Sequence, residues 1–364
     1  MLVLEAPGDA DSGLRSLADW DNLLLSWRLA ARGKRGAPAV ARFEFNPGEA
    51  LLALQRALLT QTWRPGPYVH FNIHQPKHRL ISAAPFADRV VHHALCRVIE
   101  PRFEPGFIGD SYANRLGKGT HRALDRLQHF AQRHRHVLRL DVRQHFPRID
   151  HQILLALLWR RIPEPGLRRV VECIVASGAD TAAAAPGELF EGDDLLALCR
   201  PRGLPIGNLT SQFWSNCYLD PLDQFVRRSL RCAAYLRYVD DFALFHDDKA
   251  TLQAWGDALQ AFLGTRLRLR VHTRSAQVLR CAAGIPWLGF VVYPEHRRVK
   301  ARKVVATTRR LRGLHQAWRR GEISFAEFDA SVQGWIEHVR HADSWGLRQH
   351  VLGGFALEGR DLGE

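Results

Sequence analysis

The feature that most constrains this chain is a pair of adjacent carboxylates, Asp240 and Asp241, set between two short apolar strands. Residues 235–238 and 242–245 read as strands, with Val239, Asp240 and Asp241 between them. A tight turn would ordinarily carry Asn-Gly or Asp-Gly here. Two neighbouring acids repel, and each raises the other's pKa unless a cation sits between them. Asp-Asp in a turn is most often just an exposed loop, but on an apolar hairpin it points to a divalent ion. A third acid, Asp141, ends the short apolar strand at residues 137–142. Three carboxylates from different strands can hold two metal ions, and hard oxygen donors without clustered Cys or His favour Mg²⁺ over zinc.

Around this centre the pattern alternates between helices and strands. Helical periodicity marks residues 14–31, 47–59, 86–99, 120–134, 149–161, 208–230 and 251–263. The helix at 86–99 is expected to end at Pro101. Residues 68–74 alternate like a strand, and 285–293 read as a strand pair. Residues 177–203 contain Pro186-Gly187 and the acids Glu188, Glu191, Asp193 and Asp194, and read as an inserted loop or hairpin. From residue 301 the character changes. Arg302, Lys303, Arg309, Arg310, Arg312, Arg319 and Arg320 follow one another without an acid. Val304, Leu311, Leu314 and Trp318 make that stretch a helix with a basic face. Two more helices, 325–339 and 345–352, complete a candidate bundle.

Charge bears on the partner. Lys and Arg total 51 and Asp and Glu 37, a net charge of +14, and nearly all the cations are Arg. Arg forks phosphate and stacks on bases, so a polyanion, nucleic acid, is the expected partner. The alternative is a coding bias toward Arg that serves only solubility. The 46% hydrophobic content rules out wholesale disorder, and 364 residues suffice for two or three structural units. The six cysteines are scattered without a CxxC pair, which argues against a zinc ribbon or disulfide framework and for a reducing cytosol. No window approaches the ~18 apolar residues of a membrane span. Residues 1–11 lack a signal-peptide pattern, so a cytoplasmic location is expected. His129, His134, His136, His145 and His151 have no accompanying metal pattern and read as surface or phosphate-facing residues.

Taken in order, these segments resemble the reverse transcriptases. Tyr238-Val239-Asp240-Asp241 is similar to their YxDD motif, and residues 140–150 to their first catalytic-acid motif. The resemblance implies that Asp141, Asp240 and Asp241 are catalytic and hold two Mg²⁺ ions, with the Val142 carbonyl completing the coordination. One ion would activate the primer 3′-hydroxyl and the other would neutralise the triphosphate. Phe146, five positions after the acid, fits the aromatic gate that excludes a ribose 2′-hydroxyl, or is a core residue before Pro147. Residues 76–81 resemble the fingers strand that reaches the incoming nucleotide, with Arg79 the better phosphate contact and Lys77 the weaker. Residues 111–121, including Arg115 and Lys118, resemble a further fingers motif. They are not a P-loop, because Tyr112 stands where that motif needs glycine. Trp287 and Gly289 lie in a segment like the primer grip. The basic helix bearing Arg309, Arg310 and Arg312 would be the thumb that tracks duplex backbone.

One block separates the branches of the family. Residues 203–212 read Gly-Leu-Pro-Ile-Gly-Asn-Leu-Thr-Ser-Gln. Most reverse transcriptases carry Gln where this chain has Ile206, and Pro where it has Gln212. The pattern is similar to the reverse transcriptases of diversity-generating retroelements, as are residues 218–223. That resemblance implies copying of a template-repeat RNA into cDNA with errors opposite adenine, aided by a small basic accessory protein, usually a pentamer. Gly207 would let backbone approach the nascent base pair, and Ile206 would lie at its minor-groove side or merely pack in the palm. Arg270 stands where relatives often have Lys. The alternatives are a group II intron or retron enzyme of ordinary fidelity, and a catalytically silent RNA-binding scaffold. Because the sequence runs only to about the thumb, no maturase or endonuclease module is expected, which disfavours the group II alternative, and Ile206 and Gln212 also depart from the group II pattern. Retention of the three acids disfavours the scaffold.

The expected architecture is therefore α+β, a right-hand polymerase. Residues 1–75 form an N-terminal helical extension, 76–300 the fingers and palm with the insertion at about 177–203, and 301–364 the helical thumb and tail. Template RNA, cDNA or primer, and dNTPs are the expected ligands.

Overall fold

The computed structural model describes residues 12–73, 79–179, 188–272 and 276–355. Four helices open the described residues: α1 (Ser12–Ala18), α2 (Trp20–Ala31), α3 (Pro38–Phe45) and α4 (Pro47–Leu59). A hairpin of β1 (Val69–Ile73) and β2 (Arg79–Ala83) leads to α5 (Phe86–Phe103) and α6 (Thr120–Arg133). Next come β3 (His136–Asp141), α7 (His145–Arg148), α8 (His151–Trp159), α9 (Pro165–Ala179) and α10 (Leu209–Gln224). The second, acid-bearing hairpin is β4 (Tyr235–Tyr238) and β5 (Asp241–His246), followed by α11 (Lys249–Leu267) and β6 (Gln277–Arg280). A meander of β7 (Ile285–Trp287), β8 (Phe290–Val292) and β9 (Arg297–Val299) precedes α12 (Ala301–Arg319), α13 (Phe325–Val339) and α14 (Trp345–Leu352).

Most expected elements are present, with three corrections. The single helix expected at 14–31 is two. Asp19 interrupts it, because its carboxylate caps α2 by accepting from the N–H groups of Asp21 and Asn22, at 3.0 and 3.2 Å. The helix expected to end at Pro101 runs on to Phe103, with Pro101 inside its last turn. Proline there forfeits one backbone donor, while buried Ile99 and Phe103 hold the turn against the core. Helices α3, α7 and α9 lie where no element was expected. Helix α9 extends into the region taken as the start of the insertion.

The central sheet is antiparallel with strand order β4-β5-β3-β6. Alternation along each strand sends residues to two cores. Leu138, Leu140, Tyr235, Phe242 and Leu244 join the large core shared with α5, α8, α10 and α11. Val137, Leu236, Ala243 and Phe245 face a second core with α6, Trp287 and Phe290. Each such fully buried large apolar side chain contributes about 1.5–3 kcal/mol, so both faces of the sheet are fixed by packing. A third, small core of Leu311, Trp335, Val339 and Val351 ties α12, α13 and α14 together. This bundle meets the rest of the chain where the N–H of Asp343 donates to the Arg297 carbonyl at 2.8 Å and His341 stacks on His121.

Beyond the end of α9, the described part of the insertion, residues 188–203, is a strap held by its acids. Glu188 pairs with Arg148, and with Arg270 at 2.6 Å. Asp193 pairs with Arg268 at 2.8 Å, and Arg268 and Arg270 both lie over the Phe190 ring. No helix among the described residues is long and apolar enough to cross a membrane.

Candidate active site

Strand pairing assembles the three acids. In the β3–β5 ladder Asp141 and Asp241 are direct register partners, and Tyr238 pairs with Asp241 across the hairpin. The N–H of Val142 donates to the Asp240 carbonyl at 3.1 Å, which ties the turn to the end of β3. The same strand end is held from the far side, where the N–H of His272 donates to the Asp141 carbonyl at 2.7 Å. Val239 forms the turn with φ of 56°, a left-handed conformation that is strained for a β-branched residue.

Electrostatics mark Asp240. Burial, and then the charges of Asp141 and Asp241, push its carboxyl up to about 7, and Arg79 pulls the other way. Arg139 is the local counter-cation. Its guanidinium lies 3.8 Å from Asp241 and over the Trp287 ring, and burial lowers its pKa against the raising effect of Asp241 and Asp141. Among the described residues, no three His, Cys, Asp or Glu side chains are gathered closely enough to hold an ion. The donors nevertheless fit a hard divalent cation in kind, being carboxylate oxygens at adjoining strand ends. Their like charges, which add to burial in raising Asp240, are what such an ion would neutralise.

The segment bearing Ile206 lies against the β1–β2 hairpin. The N–H of Ser82 donates to the Ile206 carbonyl at 3.1 Å. Gly207 has φ of 115°, and a Cβ there would come within 3.0 Å of Ile81. Only glycine fits without strain. Half-buried Phe146 is tied to the same segment, since the N–H of Leu204 donates to its carbonyl at 2.9 Å. Gln212 is half-buried in the first turn of α10. Arg79 is exposed at the start of β2, opposite Ile73. Lys77 lies outside the described residues.

Four residues expected to meet nucleic acid are committed elsewhere. Arg115 spends its guanidinium on Glu104 at 2.6 Å and on the carbonyls of Ile108 and Ser111. Lys118 donates to the Gly109 carbonyl at 2.6 Å and lies over Tyr112. Trp287 is fully buried in the second core. Gly289 is buried too, with Lys303 so close that a Cβ would clash. These four serve the fold: Arg115 and Lys118 are claimed by partners within their own loop, 4 to 11 residues away, and Trp287 by a core drawn from distant segments. Arg309, Arg310 and Arg312, by contrast, are all exposed on α12. Arg139 and Arg237 were not singled out from the sequence. Their signal was a lone cation within an apolar strand, as in Leu138-Arg139-Leu140 and Leu236-Arg237-Tyr238.

Residues 72–292, more than half of the chain, match the family described as reverse transcriptase (RNA-dependent DNA polymerase). The chain belongs to that family, and the class of enzyme is an RNA-directed DNA polymerase. It is similar to Protein YkfC of Escherichia coli (strain K12), with 23% identity over 296 residues, covering 71% of this chain and 74% of that protein. Among solved structures it is similar to apo telomerase from Candida tropicalis, with a TM-score of 0.49 and 11% identity, over 65% of this chain and 49% of that one. The form of that telomerase truncated from its C-terminal domain gives a TM-score of 0.48 and 12% identity, over 70% of this chain and 60% of the other. The chain thus spans about half the length of the full telomerase chain.

Proposed function

We propose that the chain copies RNA into cDNA by two-metal nucleotidyl transfer, and that it does so with errors opposite template adenine in the service of diversifying a target gene. The observation that carries the polymerase chemistry is the register pairing of Asp141 with Asp241 beside the raised Asp240. Residues 76–300 are then fingers and palm, residues 301–364 the thumb and tail, and residues 1–75 an N-terminal extension. Bound Mg²⁺ would activate the primer 3′-hydroxyl and neutralise charge on the triphosphate. Asp141, Asp240 and Asp241, with the Val142 carbonyl, would hold it. Arg79 would meet the triphosphate, since its charge already acts on Asp240. Phe146 would exclude a 2′-hydroxyl. The exposed cations of α12 would track phosphate without reading sequence.

The mutagenic reading is supported by Ile206. Its backbone is pinned to Ser82, so its side chain stays beside the Gly207 approach, where it offers neither donor nor acceptor. A polar probe at the minor-groove edge is worth about 1–3 kcal/mol of discrimination, and isoleucine cannot supply it. A small basic accessory protein belongs to this reading. The test is sequencing of cDNA made by the purified protein, with and without such a protein encoded nearby. Errors concentrated opposite adenine are expected. Equal accuracy opposite adenine and guanine would leave a group II or retron-type enzyme of ordinary fidelity.

A further inference from the structure

Arg237 is wholly buried in β4, two residues before the strained turn. Its Nε and Nη2 grip the Asp223 carboxylate of α10, with the closest contact at 2.7 Å. Asp223 is also fully buried, and it accepts the Tyr235 hydroxyl at 2.6 Å. The remaining nitrogen, Nη1, donates to Asn216 Oδ1 and to the Val239 carbonyl, each at 3.1 Å. Asn216 in turn donates to the Ala113 carbonyl at 2.9 Å. The strand is clamped along its edge as well. The Arg237 N–H donates to the Asp110 carbonyl, and its own carbonyl accepts from Tyr112.

A buried ion pair is a poor device for stability, because apolar residues of similar volume often do as well or better. This one reaches a particular atom. The Val239 carbonyl belongs to the peptide that continues into the N–H of Asp240. Fixing that peptide plane fixes where the Asp240 backbone begins. The left-handed Val239 would otherwise relax toward an ordinary turn and carry both carboxylates with it.

We propose that Arg237 is a positioning residue for the polymerase reaction: anchored by Asp223 and Asn216, it holds the Val239 carbonyl and so keeps Asp240 and Asp241 aligned with Asp141. This rests on the assignment of those three acids as the metal-holding set. The guanidinium acts through the backbone and touches no substrate. Lysine cannot replace it, since one ammonium cannot serve Asp223 in a fork and also reach Asn216 and Val239.

The test compares the full chain with Arg237→Lys, and with an apolar triple variant, Asp223→Leu, Tyr235→Phe, Arg237→Met. Three quantities are read: melting temperature, kcat and KM for primer extension on RNA, and Mn²⁺ binding followed by water proton relaxation. Arg237→Lys is expected to fold, to lose more than tenfold in kcat with KM for template–primer within twofold, and to bind Mn²⁺ several-fold more weakly. The triple variant is expected to melt near the parent and to stay inactive. Arg237→Lys within threefold of the parent in kcat and Mn²⁺ affinity, failure of Arg237→Lys to fold, or an active triple variant would each assign the network to stability alone and overturn the proposal. A parent that binds Mn²⁺ but extends no primer would count against the functional reading, and the Mn²⁺ comparison would still judge Arg237.

Discussion

Asp141 and Asp241 stand opposite one another in the β3–β5 ladder, and the Asp240 carbonyl accepts the N–H of the residue after Asp141. Two strands far apart in the chain thus bring their carboxylates to one edge. Asp240→Asn is expected to remove Mg²⁺-dependent extension by well over tenfold, a loss of several kcal/mol in transition-state stabilisation. RNA affinity, measured by filter binding, should stay within about twofold. Extension within tenfold of the parent would remove Asp240 from the metal-holding set.

Gly207→Ala tests the close approach beside β2. The new Cβ meets Ile81 at 3.0 Å in a backbone conformation that alanine adopts only with strain. A stability loss of about 1–2 kcal/mol is expected in urea unfolding. Extension should fall further than stability does, because the shift displaces Ile206 from the hairpin. Parent-like kinetics would place the nascent pair elsewhere.

Replacing Arg309, Arg310 and Arg312 on α12 with Gln should weaken template–primer binding evenly across sequences. The plot of log affinity against log salt should flatten by about 0.7–0.9 for each phosphate that is no longer neutralised. An unchanged slope would assign this exposed face to docking of a protein.

Ile206→Gln should place a polar probe on the minor-groove edge, where template adenine presents only its N3 acceptor. Misincorporation opposite adenine is expected to fall several-fold, with little change opposite the other bases. Because position 206 is half-buried and a Gln there without a partner would lower stability, error rates must be normalised to full-length product. An unchanged adenine error rate in an active variant would clear Ile206 of the mutagenic role.

Acid should destabilise the fold through two buried histidines. Burial lowers His92 to about 3, aided by His93 and Arg89, and lowers His145 to about 3, aided by Arg237. In the unfolded chain each binds a proton near pH 6.5, so the unfolded state gains protons first as pH falls. Their contribution is complete above about pH 6.5 and is lost progressively toward pH 3, at up to about 1.4 kcal/mol per pH unit for each. Urea midpoints between pH 7 and 5 should show this slope, and His92→Leu should remove about one proton from it. A slope that His92→Leu leaves unaltered would contradict the assignment.

Much of the architecture was readable because its signals are local. The turn bearing Asp240 and Asp241, the strand ending in Asp141, and the helices α13 and α14 carry their periodicity within a few residues, and α13 carries its cap as well. Helix α13, for instance, begins with a capping box in which Ser324 and Glu327 satisfy each other's backbone N–H groups. The two helices expected as one at the N-terminus failed for an equally local reason, the cap at Asp19, which hydrophobic spacing does not register.

Side-chain availability was a different matter. Arg115 and Arg309 are alike as letters, yet one is forked onto Glu104 and the other is exposed on α12. Trp287 looked like a residue for a primer and is instead roofed by Arg139 inside the second core. The sequence by itself determined the chemistry available, three acids at strand ends and a basic helical tail, because those depend on residue type and short-range pattern. Only the tertiary structure decided which cations stay exposed, and that Arg237, anchored on α10, holds the Val239 carbonyl. The reason is that a side chain's exposure and hydrogen-bond partners are set by segments that packing brings from far along the chain.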